Sequence, residues 1–78
     1  MSRNVEQTIK ELMSIILNTN AAKIDDSTSM DNTPGWDSAN HISLVLALEE
    51  EFSISFEVSE FELMVSFFDI VQLVEAKI

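Results

Sequence analysis

The chain holds one proline and one glycine, and they are neighbours: Pro34-Gly35. Proline breaks helices and glycine supplies backbone conformations other residues avoid, so this pair marks one strong interruption in the chain. On both sides of it the apolar residues recur at helical spacing. Val5, Ile9, Leu12, Met13, Ile16 and Leu17 place a helix over roughly Asn4 to Asn18, with Ser2 or Asn4 as its N-cap. Thr19 to Gly35, rich in Asn, Asp, Ser and Thr, reads as a long loop anchored by Ile24 and Met30. A loop of that length is uncommon in a compact domain and is often functional.

A second helix runs from about Ser38 to Phe52. The connector Ser53-Ile54-Ser55-Phe56 has an alternation that imitates a strand. Val58 to Met64 suits a short third helix. Ser66 and Asp69, spaced as in a capping box, open a fourth that buries Phe67, Ile70, Val71 and Val74 and ends near Lys77. The expected fold is all-α: a small helical bundle with three main helices, one short helix and a long loop between the first two. Its expected core is Val5, Ile9, Leu12, Ile16, Leu44, Leu48, Phe52, Phe56, Met64, Phe67, Val71 and Val74.

At 78 residues the chain reads as one domain, 1–78, near the lower limit of what folds without staples. It has no cysteine, hence no disulfide, no thiolate nucleophile and no cysteine-based zinc site. A net charge of −10 opposes nucleic acid and anionic membranes and favours partners with Lys/Arg patches. The opening Met-Ser-Arg-Asn lacks a signal-peptide stretch, and no apolar run approaches a membrane span. A cytoplasmic monomer is the expectation.

Chemistry concentrates at Gly35-Trp36-Asp37-Ser38. Asp37 is a good N-cap, its carboxylate accepting first-turn N–H groups. Ser38 then stands at the start of the second helix, where the free N–H groups and the helix dipole favour a phosphodiester. The same helix ends in Ala47-Leu48-Glu49-Glu50-Glu51-Phe52.

From Asp37 to Phe52 the chain resembles the core motif of acyl carrier proteins, in which an Asp-Ser-Leu-type sequence begins the second helix and an Ala-Leu-Glu-Glu-Glu-Phe-type sequence ends it. Length, acidity and helix order agree from roughly Val5 to Val74. An Asp-Ser pair alone is common by chance, and the specificity comes from the pair, helix and acidic exit together. The resemblance implies that Ser38 carries 4′-phosphopantetheine derived from coenzyme A. It also implies that Asp37 serves a phosphopantetheinyl transferase as a recognition element, and that the arm's thiol holds acyl or aminoacyl groups as thioesters. That thiol must come from the cofactor, since the chain has none. The chain itself would not be an enzyme. The rival reading is an unmodified acidic helical adaptor that binds a basic partner through the second helix.

At about 100° per residue from Ser38, residues Leu44, Val45, Leu48 and Phe52 fall between about 240° and 340°, forming a core stripe. Ile42 and Leu46 fall at about 40° and 80°, beside Glu49 and Glu50. Two readings stand: Ile42 and Leu46 are the edge of the core, or they form a partly exposed strip rimmed by carboxylates that docks acyl-loading and acyl-transferring enzymes with basic patches. The family uses this part of the helix for docking.

Trp36 is expected to pack the loop against the helix. His41, one turn from Ser38, points toward the core stripe. No second acidic group, nucleophile elbow or oxyanion loop supports a hydrolase, so His41 reads as a half-buried packing residue. Asp25, Ser27, Ser29 and Asp31 imitate a calcium loop, but Met30 stands where Gly is needed and Trp36 where Glu is needed, and no metal site follows. Three positions depart from the family. Ala39 replaces the usual Leu after the modified serine and thins the surface offered to partners. Asn40 and Ser43 stand where acidic residues are frequent. These departures point to a specialised pathway rather than general fatty-acid synthesis.

Overall fold

A computed structural model describes residues 4–78, and Ser2, one of the two N-cap candidates, lies outside that range. The first helix, α1, spans Val5–Leu17. Asn4 caps it, its Oδ1 accepting the Gln7 N–H at 3.0 Å. The helix stops at Asn18, which adopts the left-handed conformation (φ 55°, ψ 51°) that asparagine tolerates better than most residues. The second helix, α2, spans Ser38–Phe52 and ends on Ser53, again left-handed at φ 55°. A four-residue α3 covers Val58–Phe61, and α4 covers Phe67–Lys77. Among the described residues there is no strand, and the bundle has three main helices and one short one.

Two elements differ from the sequence reading. Expected to Met64, the third helix ends at Phe61; Glu62 and Leu63 form a turn that lets Met64 drop into the core. The long loop also has structure of its own, with 3₁₀ turns at Ala21–Lys23 and Met30–Asn32. Asx bonds hold these turns: Asn20 Oδ1 accepts the Ala22 N–H at 2.9 Å, and Asn32 Oδ1 accepts the Ser29 N–H at 2.9 Å. The loop is also sewn to the α3–α4 connector. Met30 N–H donates to the Val65 carbonyl and Phe67 N–H to the Thr28 carbonyl, both at 2.9 Å, closing one isolated antiparallel bridge between Ser29 and Ser66. Ile24 is buried as an anchor, whereas Met30 is only partly buried.

The core contains Ile9, Leu44, Leu48, Phe52, Phe56, Met64, Phe67, Val71 and Val74, as expected. Along α1 the deepest stripe is rotated: Ile9, Met13 and Leu17 are fully inside, while Val5, Leu12 and Ile16 pack at its edge. Spacing alone did not separate these rows, because they adjoin on the helix wheel, with Ile9 and Ile16 about 20° apart. At the start of α4, Ser66 Oγ accepts the Asp69 N–H at 3.1 Å, but the Asp69 carboxylate accepts a hydrogen bond from the Ser66 hydroxyl at 2.9 Å rather than reaching back to the backbone. Half of the expected capping box is therefore built.

Candidate functional site

The loop delivers the chain to α2 through a tight turn. Trp36 N–H donates to the Thr33 carbonyl at 3.1 Å, with Pro34 and Gly35 between them and Gly35 at φ 93°. Proline in the first central position and a left-handed glycine in the second make a type II turn. Gly35 is needed for a second reason: a Cβ there would lie 3.0 Å from the Leu17 carbonyl oxygen at the end of α1. The two residues that break the sequence pattern thus lean the loop on α1, after which Trp36 turns inward and Asp37 and Ser38 are exposed.

Asp37 is the N-cap of α2, its Oδ1 accepting the Asn40 N–H at 2.9 Å. Asn40 returns across the turn, its side-chain amide donating to the Gly35 carbonyl at 2.6 Å. Between these bonds Ser38 occupies the first helical position and is exposed. The cap satisfies the Asn40 N–H and leaves the Ser38 and Ala39 N–H groups at the open helix end. A hydroxyl there is accessible to a phosphoryl donor, and a phosphodiester on it would sit in the favourable field of the helix terminus.

Ala39, Ile42 and Leu46 share the exposed side of α2 with Ser38. Ile42 is 51% exposed and Leu46 56%, while Leu44, Val45 and Leu48 on the opposite side are buried. The wide apolar arc is therefore only partly buried, and Ile42 and Leu46 are not the edge of the core. Glu50 lies on the exposed side. Glu49 is half-buried, with its Oε2 accepting the Phe56 N–H at 2.7 Å. That bond fastens the connector to the last turn of α2, a structural duty that a separation of seven residues gave no reason to expect.

Trp36 packs the loop as expected and is buried. His41 is buried rather than half-buried. Unforeseen was the bond between them: Trp36 Nε1 donates to His41 Nδ1 at 3.0 Å, and His41 Nε2 lies 2.8 Å from the Phe61 carbonyl oxygen. In the loop, the Asp25 carboxylate accepts the Ser27 N–H and hydroxyl at 2.9 and 2.5 Å, and these bonds hold its pKa below the usual aspartate value. Asp25 thus closes a turn.

No protein-family model matches the chain. Over 51 residues it is 41% identical to the acyl carrier protein of Buchnera aphidicola subsp. Schizaphis graminum (strain Sg). That match covers 65% of this chain and 65% of the relative. Together with the all-helical fold, this partial likeness points to the acyl carrier protein family. No helix among the described residues is long and apolar enough to cross a membrane.

Proposed function

We propose that this chain is a carrier that holds acyl or aminoacyl groups as thioesters on a 4′-phosphopantetheine arm attached to Ser38. One observation supports it most: an exposed serine at the first position of α2, directly after an Asp N-cap and a rigid type II turn. In the attachment step Ser38 Oγ forms a bond to the phosphorus that links pantetheine to the nucleotide of coenzyme A. The phosphoanhydride bond breaks, 3′,5′-adenosine bisphosphate leaves, and the serine proton is lost to the transferase or solvent. When bound, the arm supplies the thiol that the chain lacks. The protein's own part is to cap the helix through Asp37, aim Ser38 outward and bring partners to the arm, where tethering raises the effective concentration of cargo.

The partners of this reading are a phosphopantetheinyl transferase and acyl-loading or acyl-transferring enzymes with basic docking patches. They would meet the face formed by Ala39, Ile42 and Leu46 with Glu50, while Glu49 contributes charge from a side chain already engaged with the connector. The small Ala39 and the uncharged Asn40 and Ser43 favour a specialised biosynthetic pathway, such as polyketide synthesis, over housekeeping fatty-acid synthesis. The chain would act as a cytoplasmic monomer.

The experiment is intact-mass measurement after incubating the apo protein with coenzyme A and a broad-specificity transferase. The wild type should gain one phosphopantetheine and Ser38→Ala none. A wild type that stays at its apo mass, or a Ser38→Ala variant that gains equally, returns the chain to the rival reading of an unmodified acidic adaptor.

A further inference from the structure

The bond between Trp36 and His41 spans the two residues that matter most, since Asp37 and Ser38 lie between them in the chain. Trp36 Nε1 is a donor with no acceptor capacity, so the ring nitrogen that receives it, His41 Nδ1, carries no proton. The other nitrogen, Nε2, then bears the hydrogen and donates it to the Phe61 carbonyl at 2.8 Å. The imidazole is neutral and held in one tautomer by a partner on each side. Its three attachments belong to three elements: the loop through Trp36, α2 through its own backbone, and the last residue of α3 through Phe61.

The third attachment matters because α3 is weakly held. A four-residue helix does not persist alone, and none of its residues is buried. Phe61 packs at the edge of the core, and among the described residues the polar ties of α3 to neighbouring helices include the ion pair between Glu60 and Lys77 of α4, at 3.1 Å, and the His41 bond to α2. The Phe61 carbonyl is also approached by the Met64 N–H, but at a long 3.4 Å. The imidazole is therefore its closer donor.

We propose that His41 is a positioning residue: as a neutral Nε2–H imidazole it clamps the turn bearing Ser38 between the loop and α3, so that α3 and the attachment turn behave as one unit. The clamp itself is independent of what Ser38 carries; its consequence for loading rests on the reading of Ser38 as the attachment site.

The chain has one histidine and one tryptophan, so both ends of the bond are observed without interference. In the wild-type full chain, ¹⁵N spectra of the ring should show Nε2 protonated and Nδ1 bare; an Nδ1–H tautomer would overturn the clamp with no variant needed. Amide hydrogen exchange across α3 should accelerate about fivefold or more in His41→Leu, the scale of one lost buried hydrogen bond. His41→Gln, which keeps an acceptor and a donor, should recover part of that protection. Unchanged α3 exchange in His41→Leu overturns the proposal. Should that variant fail to fold, Trp36→Phe removes the indole donor and leaves the Nε2–H bond to Phe61; the amides of the turn over 33–38 should then exchange about fivefold faster, and unchanged exchange there overturns the clamp.

For the link to Ser38, transferase kinetics should show a KM for the chain raised about fivefold in His41→Leu with kcat preserved, and lowered again in His41→Gln. Equal KM values in all three proteins would overturn that link. A wild type that accepts no arm would instead refute the Ser38 reading, and the tautomer and exchange measurements would still judge the clamp.

Discussion

Gly35 shows how much one residue decides at the entrance to α2. Its positive φ suits a residue without Cβ, and the space a methyl group would enter is occupied by the Leu17 carbonyl oxygen. Gly35→Ala should therefore cost more than about 1 kcal/mol in urea unfolding, because the backbone strain adds to the close approach. An unchanged midpoint would mean that the turn relaxes freely. Asp37 was legible as the cap from its residue type and place, and Ser38 from its position after it. The His41 bond was not, because a helical wheel gives a direction and no partner, and Phe61 is twenty residues away.

Two elements carry separable duties. On α2, Leu46 and Glu50 face solvent beside Ser38 and support little of the core, so Leu46→Ala and Glu50→Lys should slow loading by a partner enzyme while leaving circular dichroism unchanged. The Glu50 effect should shrink as salt is added, as for any exposed charge. Glu50 is the cleaner probe than Glu49, whose replacement also frees the Phe56 N–H. The short α3 depends on Glu60. Its carboxylate accepts the Glu57 N–H at 2.8 Å and pairs with Lys77, and these contacts, the backbone bond first, lower its pKa below the ordinary glutamate value. A lowered folded-state pKa means that the ionised form is favoured by folding. The contribution is complete above the unfolded pKa of about 4.3 and is lost as pH falls through the lower folded value. Protection of α3 amides should therefore drop in acid in the wild type, and Glu60→Gln should be less protected at neutral pH and respond less to acid. Parallel profiles for the two proteins would assign the acid sensitivity to another group.

Across the whole molecule, stability comes from one core shared by all the main helices, with Ile9, Met13, Leu44, Leu48, Met64, Phe67, Ile70 and Val74 inside it. Leu48→Ala removes a fully buried side chain and should cost about 2–5 kcal/mol. For a domain of this size each kcal/mol corresponds to roughly 4–8 °C in Tm, so calorimetry resolves the effect easily. Leu46→Ala, two residues earlier and 56% exposed, should barely move Tm. Equal losses in the two variants would show that the register of α2 is misassigned.

The three main helices were readable because each repeats an apolar stripe and begins or ends at a residue whose side chain or backbone preference stops a helix: Asn4, Asn18, Asp37 and Ser66. Such signals are local, set by periodicity and by bonds spanning three or four residues. The serine at the start of α2 was readable for the same reason. Which of two adjoining rows on α1 goes deepest was beyond those signals, because rows about 20° apart at their border are separated only by what packs against them. Likewise, Glu49 reaching Phe56, His41 joining Trp36 to Phe61, and the long loop hooking onto the α3–α4 connector at Ser29 and Ser66 join residues that are apart in sequence. Those contacts form once the core has brought the elements together, and no pattern within a single segment encodes them.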